Sequence, residues 1–267
     1  MHATAKTVTG QPVLLRHDAN GVATLTLNRP QHYNALSLSL LTELQAAVDA
    51  IARDEKVRVV VIAGAGKAFC AGHDLKEMRA HHDRAFIKDV FERCSRLMLN
   101  LTRLPQPVIA RAHGIVAAAG CQLVAQCDLA IAAADARFAT SGINVGLFCA
   151  TPSVALTRNI PRKRAMEMLM TGEFIDAATA MSYGLVNRVA AIDELDAEVD
   201  RLAQAIIAKT PVAVAAGKKL FYEQIDAGLE RAYALASDAM VCNMMTEDAA
   251  EGIDAFMQKR KPQWKGK

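Results

Sequence analysis

The chain has 267 residues, a length that fits one domain with a modest appendage better than two full domains. Hydrophobic residues make up 52% and aromatics 5%, which excludes a disordered chain and points to a helix-rich, tightly packed globule. The 31 basic and 28 acidic residues leave a net charge of +3, too balanced to argue for a nucleic-acid surface. No run approaches the roughly 20 apolar residues of a membrane span.

Residues 1–10 have no apolar stretch of the kind a signal peptide needs. The six cysteines, Cys70, Cys94, Cys121, Cys127, Cys149 and Cys242, form no Cys-x-x-Cys pair, so reduced thiols in the cytoplasm or an organelle matrix are expected. Val13–His17 and Val22–Leu27 are β-rich runs around Asp18-Ala19-Asn20-Gly21, a hairpin signature. Ser37 is placed to cap a helix to about Arg53, with Leu40, Leu41, Leu44, Val48 and Ile51 on one face. Val57–Ala63 reads as a buried strand ending in the loop Gly64-Ala65-Gly66. A polar helix follows from Asp83 to Arg103, then a strand over Val108–Ala112. Gly114–Gly120 reads as a loop of small residues, Cys121–Gln126 as a helix and Leu129–Ala133 as a strand. Repeated strand–helix crossovers of this kind favour an α/β layered fold. Beyond Ser153 the pattern turns helical: 153–170, 176–183, 195–209, 212–225 and 229–243. Thr171-Gly172 and Tyr183-Gly184 supply stops.

Several motifs fail on their own chemistry. Gly64-Ala65-Gly66-Lys67 lacks the first glycine and the Ser/Thr of a phosphate loop, and Phe69 stands where a dinucleotide fingerprint needs its third glycine. His73, His81 and His82 do not fall on metal-ligand spacing, so no metal site is assigned. There is no Gly-x-Ser-x-Gly elbow.

Five segments in order carry a resemblance: Leu27–Pro30 with Asn34-Ala35-Leu36; Gly64–Leu75; Pro107–Ala110 through Gly120–Leu123; Cys127–Ala132; and the tail Phe256–Pro262. Together they resemble the crotonase (enoyl-CoA hydratase/isomerase) superfamily. Asn144–Cys149 with Ala118–Gln122 is similar to its branch of enoyl-CoA hydratase domain-containing proteins. The resemblance implies an α/β, crotonase-like spiral of β-β-α turns over residues 1–195. It also implies a helical C-terminal region, 196–267, that makes trimers or dimers of trimers. The implied ligand is an acyl-CoA thioester: coenzyme A arrives as part of the substrate, no cofactor is bound permanently, and neither nucleic acid nor membrane is a partner.

Position by position, the resemblance makes the backbone amides of His73 and Ala119 the oxyanion donors, with Gly72 and Gly120 allowing close approach. Such donors act on charge that develops on the thioester oxygen. It places the two catalytic glutamates of the hydratases at Gln122 and Gly142, neither of which titrates. Acid–base catalysis by two positioned carboxylates is therefore missing, and restoring both as glutamate is expected to raise hydration. Thioester hydrolysis, decarboxylation and plain acyl-CoA binding stay open. The CoA moiety is expected along Lys67, Ala68, Ala71, Gly72, Asp74, Leu75, Lys76 and Gly120, with Phe256 and Lys259 reaching it from the tail of a neighbouring subunit. A basic tail such as Lys259-Arg260-Lys261 is also accounted for by solvation alone. His73 is either a base near neutral pH or a ring packed on its loop. Cys149 is either an activated nucleophile or a buried inert thiol. Ser141, Asn144 and Thr151 either place a water or hold loops.

Overall fold

The computed structural model describes residues 11–267. The reading of residues 1–10 lies outside that range. Two strands, β1 (Leu14–Ala19) and β2 (Val22–Leu27), open the fold as an antiparallel hairpin in which Ala19 pairs with Val22. The turn is therefore only Asn20-Gly21, both at positive φ (50° and 80°), the conformation a two-residue hairpin matching strand twist requires. Helix α1 (Leu38–Ile51) starts at Ser37, whose hydroxyl accepts from the Leu40 N–H, and buries the five apolar residues of its expected face.

From here the chain winds in turns that give one strand to each of two sheets and then a helix. The first turn is β3 (Val59–Gly64), β4 (Ala68–Cys70), α2 (Leu75–Ala80) and α3 (Arg84–Arg103). The second is β5 (Val108–Ala112), β6 (Ile115–Ala117) and α4 (Ala119–Gln126). The third is β7 (Leu129–Ala133), β8 (Arg137–Ala139) and, after a 3-10 turn at Ser141–Val145, α5 (Ala150–Asn159). Then come α6 (Arg162–Thr171), β9 (Ile175–Asp176), α7 (Ala177–Tyr183) and β10 (Arg188–Ala190). The larger sheet has the order β1-β2-β3-β5-β7-β10 and the smaller β4-β6-β8-β9. All pairings are parallel except β1/β2 and β8/β9. This is the expected spiral of β-β-α turns.

The larger sheet is covered on both faces, which is why β3 reads as an unbroken apolar run. Leu25, Leu27, Val60 and Ile62 point into the main core with α1, α3 and α4. Val59, Val61, Ile109 and Ile131 pack against Leu195, Val199 and Ala203 of α8 (Leu195–Ile207). Each such side chain contributes about 1.5–3 kcal/mol on burial. By its packing α8 covers the core sheet, although nearly all of it lies beyond residue 195.

The rest is α9 (Pro211–Gln224), α10 (Leu229–Met244) and α11 (Glu247–Met257). A buried network fastens α9 to the core. The Lys218 ammonium donates to the Leu101 and Gln106 carbonyls and to Asp128 Oδ2 (2.8, 2.9 and 2.6 Å). The Tyr222 hydroxyl donates to Asp128 Oδ1 at 2.8 Å. The tail turns back on α11, where Asp248 accepts from the Lys265 and Gly266 N–H groups, and Trp264 donates to the Ala208 carbonyl. Leu229, Tyr233, Met240, Val241, Met244, Met245, Phe256 and Met257 remain exposed along α10 and α11.

Some expectations shift. The loop expected over 114–120 contains β6, and α4 begins at Ala119 rather than Cys121. The helix expected over 153–170 is two helices, because Pro161 holds the preceding Ile160 in extended backbone (φ −122°, ψ 158°). Gly172 and Gly184 end their helices in the left-handed region as expected.

Candidate active site

The loop after β4 is built by three polar side chains. Asn34, fully buried at φ +54°, donates to the Ala65 and Ala68 carbonyls at 2.9 and 2.7 Å and accepts from the Arg29 N–H. Arg29 donates to the Ala35 carbonyl and pairs with Asp74 at 2.9 Å. Asp74 also accepts from the Glu77 N–H, capping α2. Burial raises the Asp74 carboxyl, but Arg29 and the Glu77 N–H outweigh it and hold the group below the usual carboxylate range. The Asp74 carboxylate is thus engaged with the scaffold.

This scaffold orients one amide. Leu36 donates to the Gly72 carbonyl and accepts from the Asp74 N–H, forming a parallel bridge with His73. In such a bridge the N–H of the intervening residue points away from the partner strand. The His73 N–H therefore faces the second loop, and it has no acceptor among the described residues.

The second loop reaches the same place from β6. Ala118 sits at φ 47°, ψ −117°, a conformation that costs a non-glycine residue about 1–3 kcal/mol. It turns the chain so that α4 opens at Ala119, whose N–H is buried and likewise without an acceptor among the described residues. The first N–H groups of a helix have no intrahelical partner. A β-carbon on Gly72 would lie 2.8 Å from Ala118 Cβ and 3.1 Å from the Ala119 nitrogen, so the loops touch. A β-carbon on Gly120 would lie 2.1 Å from the Cys70 carbonyl oxygen, which seats α4 directly on β4. Two unpaired N–H groups at a contact between loops is the arrangement that binds a developing oxyanion.

The side chains around these donors are sparse. Gln122, one turn along α4, is 4% exposed, and its amide oxygen is buried without a partner among the described residues. The His73 ring packs edge-on against Phe91 of α3 at 5.0 Å, both nitrogens buried and unpartnered. Burial pushes it down to about 4, with the Leu36 backbone opposing in part. The ring is neutral at pH 7 and packed, not poised as a base. Gly142 is closed to any side chain: a β-carbon would lie 2.7 Å from both Cys149 Sγ and the Leu147 carbonyl oxygen. Its N–H donates to Cys149 Sγ at 3.3 Å. Burial raises the Cys149 thiol, the Gly142 N–H countering in part, which suits an inert thiol. The expectation that two glutamates can simply be restored is therefore overturned at residue 142 by backbone sterics. Asn144 ties its loop to the Gly172 carbonyl, while Ser141 and Thr151 make no side-chain hydrogen bond among the described residues.

Of the residues expected along CoA, Lys67, Leu75 and Lys76 are exposed beside the first loop, with the Lys67 ammonium 4.9 Å above the Tyr33 ring. Ala68 is buried and its carbonyl is used by Asn34, and Ala71 donates to the Tyr33 carbonyl. Phe256 and Lys259 stand apart. Among the described residues no hydrogen bond or ion pair joins α11 or the tail to loop 64–76, and Phe256 is 84% exposed. The roles of Arg29 and Asn34 were missed in the sequence, although both lie in its first resembling segment. Among the described residues no group of three or more His, Cys, Asp or Glu could hold a metal ion, and no helix is long and apolar enough to cross a membrane.

Comparison with known proteins shows the family and the fold. The family model for enoyl-CoA hydratase/isomerase matches residues 17–267. The human enoyl-CoA hydratase domain-containing protein 3, mitochondrial, is 46% identical over 245 residues, 92% of this chain and 81% of that protein. A trans-2-decenoyl-[acyl-carrier-protein] isomerase of Streptococcus mutans is 32% identical over 255 residues, 93% of this chain and 96% of that protein. Among solved structures, an enoyl-CoA hydratase from Mycobacterium smegmatis superposes with a TM-score of 0.94 at 58% identity, covering 95% of this chain and 99% of that one. The human domain-containing protein 3 gives 0.92 at 44%, covering 95% and 100%. The chain belongs to the enoyl-CoA hydratase/isomerase (crotonase) family, in the branch of the enoyl-CoA hydratase domain-containing proteins.

Proposed function

We propose that the protein handles acyl-CoA thioesters by holding the thioester oxygen between the His73 and Ala119 N–H groups, without the acid–base pair that hydration needs. The observation that carries this is the pair of acceptor-free amides at the contact of the two loops. Removing one such donor from an oxyanion site typically costs about 3–4 kcal/mol, so two preset donors favour an enolate or tetrahedral oxyanion over the neutral thioester. Acid–base work, about 10²–10⁴-fold for each positioned group, has no titrating side chain at residues 122 or 142. Hydration therefore runs at a residual rate at most. Decarboxylation, hydrolysis and simple retention of the thioester use the same donors.

The CoA moiety lies along Lys67, Ala68, Ala71, Gly72, Leu75, Lys76 and Gly120, and no permanently bound cofactor is required. The exposed apolar surface of α10 and α11 supports assembly into trimers through the C-terminal region, which is also how Phe256 and Lys259 reach a neighbouring site. Vertebrate relatives are named as mitochondrial. That supports the organelle matrix among the two compartments expected from the sequence.

The test is mass spectrometry of a mixed panel of enoyl-, malonyl-type and saturated acyl-CoA after incubation with the pure protein. The expected result is bound, co-purifying thioester with little gain of water. Efficient, dose-dependent hydration would defeat the proposal. Release of carbon dioxide or free CoA would identify which oxyanion chemistry operates.

A further inference from the structure

The loop Gly64-Ala65-Gly66-Lys67 lacks the residues of a phosphate loop, yet it is held firmly from two sides. On one side Asn34 takes the Ala65 and Ala68 carbonyls. On the other the imidazole of His113, in the turn between β5 and β6, takes the Gly66 carbonyl, 2.8 Å from Nε2. His113 is 7% exposed, and its own carbonyl accepts from the Phe69 N–H at 2.9 Å. A β-carbon on the next residue, Gly114, would lie 2.1 Å from the Lys67 carbonyl oxygen, so this turn presses directly on the loop.

The neighbours fix the state of the ring. A carbonyl only accepts, so Nε2 carries the proton. Nδ1 stands 3.4 Å from a guanidinium nitrogen of Arg111, which only donates, so Nδ1 is the bare, accepting nitrogen. Arg111 is itself paired with Asp196 in the first turn of α8. A line of polar contacts thus runs from α8 through Arg111 and His113 to Gly66. What the last contact sets is a direction. In a trans peptide the C=O of one residue and the N–H of the next point opposite ways. With the Gly66 carbonyl drawn to the buried ring, the Lys67 N–H points away from it and has no acceptor among the described residues. The Lys67 side chain leaves the same peptide, exposed, with its ammonium 4.9 Å above the Tyr33 ring. Without the His113 bond the 66–67 peptide is free to turn, and the Lys67 side chain turns with it.

We propose that His113 is a positioning residue. By holding the Gly66 carbonyl it sets the Gly66–Lys67 peptide, and through it the Lys67 side chain, against the coenzyme A half of the ligand, which His113 itself does not touch. This rests on the acyl-CoA reading above, and the experiment keeps the two apart. Isothermal titration of the full-length protein uses butyryl-CoA and free CoA. His113→Leu removes the donor, and His113→Asn is too short to reach Gly66; either serves should the other not fold. Each is expected to bind both probes about fivefold more weakly, the net worth of one hydrogen bond. His113→Gln, whose amide nitrogen stands in for Nε2, is expected to restore affinity to within about twofold of wild type. The decisive readout is coupling to Lys67. Lys67→Ala weakens the wild type severalfold, but in the His113→Leu or His113→Asn background it is expected to cost less than about twofold, because the side chain is already misplaced. A Lys67→Ala effect that is the same in both backgrounds, a loss that glutamine does not restore, or a His113→Leu protein of wild-type affinity overturns the positioning role and leaves the acyl-CoA reading standing. A wild-type protein that binds neither probe defeats the acyl-CoA reading and this inference with it.

Discussion

At the proposed oxyanion pole every group given a role is backbone: two N–H groups, a Gly72 that lets the loops touch, and a Gly120 seated on the Cys70 carbonyl. At the acid–base pole everything that would act is side chain, and there the chain carries an amide at Gln122 and a sealed glycine at Gly142. The difference teaches where such a site can drift. Backbone donors are fixed by packing, so changing them breaks the loops themselves. Side-chain carboxylates are held only by their own positions, and the fold survives their loss. The fold depends on the first pole's residues and not on carboxylates at the second, although packing around Gly142 resists putting a side chain back.

That contrast breaks first, and hardest, at Gly120. An alanine β-carbon there meets backbone oxygen at 2.1 Å, with the Cys70 carbonyl carbon at 2.8 Å, and neither neighbour is the tip of a flexible side chain. Gly120→Ala is expected to lose about 3 kcal/mol, the upper end of overpacking costs, together with thioester binding. Urea unfolding and titration calorimetry on one preparation check both. A variant of unchanged stability would mean the loops are not pressed together.

The next effect is at Arg29. Arg29→Met removes the donor to the Ala35 carbonyl and the partner of Asp74, in a partly buried pair. The expected cost is about 2 kcal/mol, with weaker thioester affinity because the His73 amide loses its support. At the other pole Gly142→Ala is expected to cost about 1–2 kcal/mol by overpacking. Adding Cys149→Ala should recover part of that, since Sγ is one of its two contacts at 2.7 Å and the Leu147 carbonyl is the other. Neither change should touch the oxyanion donors. Gln122→Glu with Gly142→Glu is expected to give no gain in hydration.

What the sequence disclosed follows the same line. Long apolar strands and Ser37-capped α1 were legible because burial on one or two faces writes a period into the residues. The smaller sheet was not, because β4, β6 and β8 have three residues each, too few for any period to show. Helix α11 was missed although Thr246 accepts from the Ala249 N–H and Glu247 and Asp248 open its first turn, a readable start signal. At the site, the motif glycines mark the contact at which the His73 and Ala119 N–H groups lack acceptors among the described residues. The seal over Gly142 stayed hidden because it is made by Leu147 and Cys149, whose approach depends on a turn that no local pattern specifies.

The one pH-dependent effect tests the side chain of the donor that bridges to Leu36. The His73 ring is pushed down to about 4 by burial, while in the unfolded chain it titrates near its ordinary 6.5. Between those values the unfolded state binds the extra proton, so stability rises with pH and is lost as pH falls from about 6.5 toward 4. One proton gives a slope of at most about 1.4 kcal/mol per pH unit. His73→Leu keeps the backbone donor and removes the titration. The difference between wild-type and variant unfolding free energies is therefore expected to shrink steadily as pH is lowered through that window and to be flat above 7. A difference independent of pH would mean the ring is solvated in the folded protein.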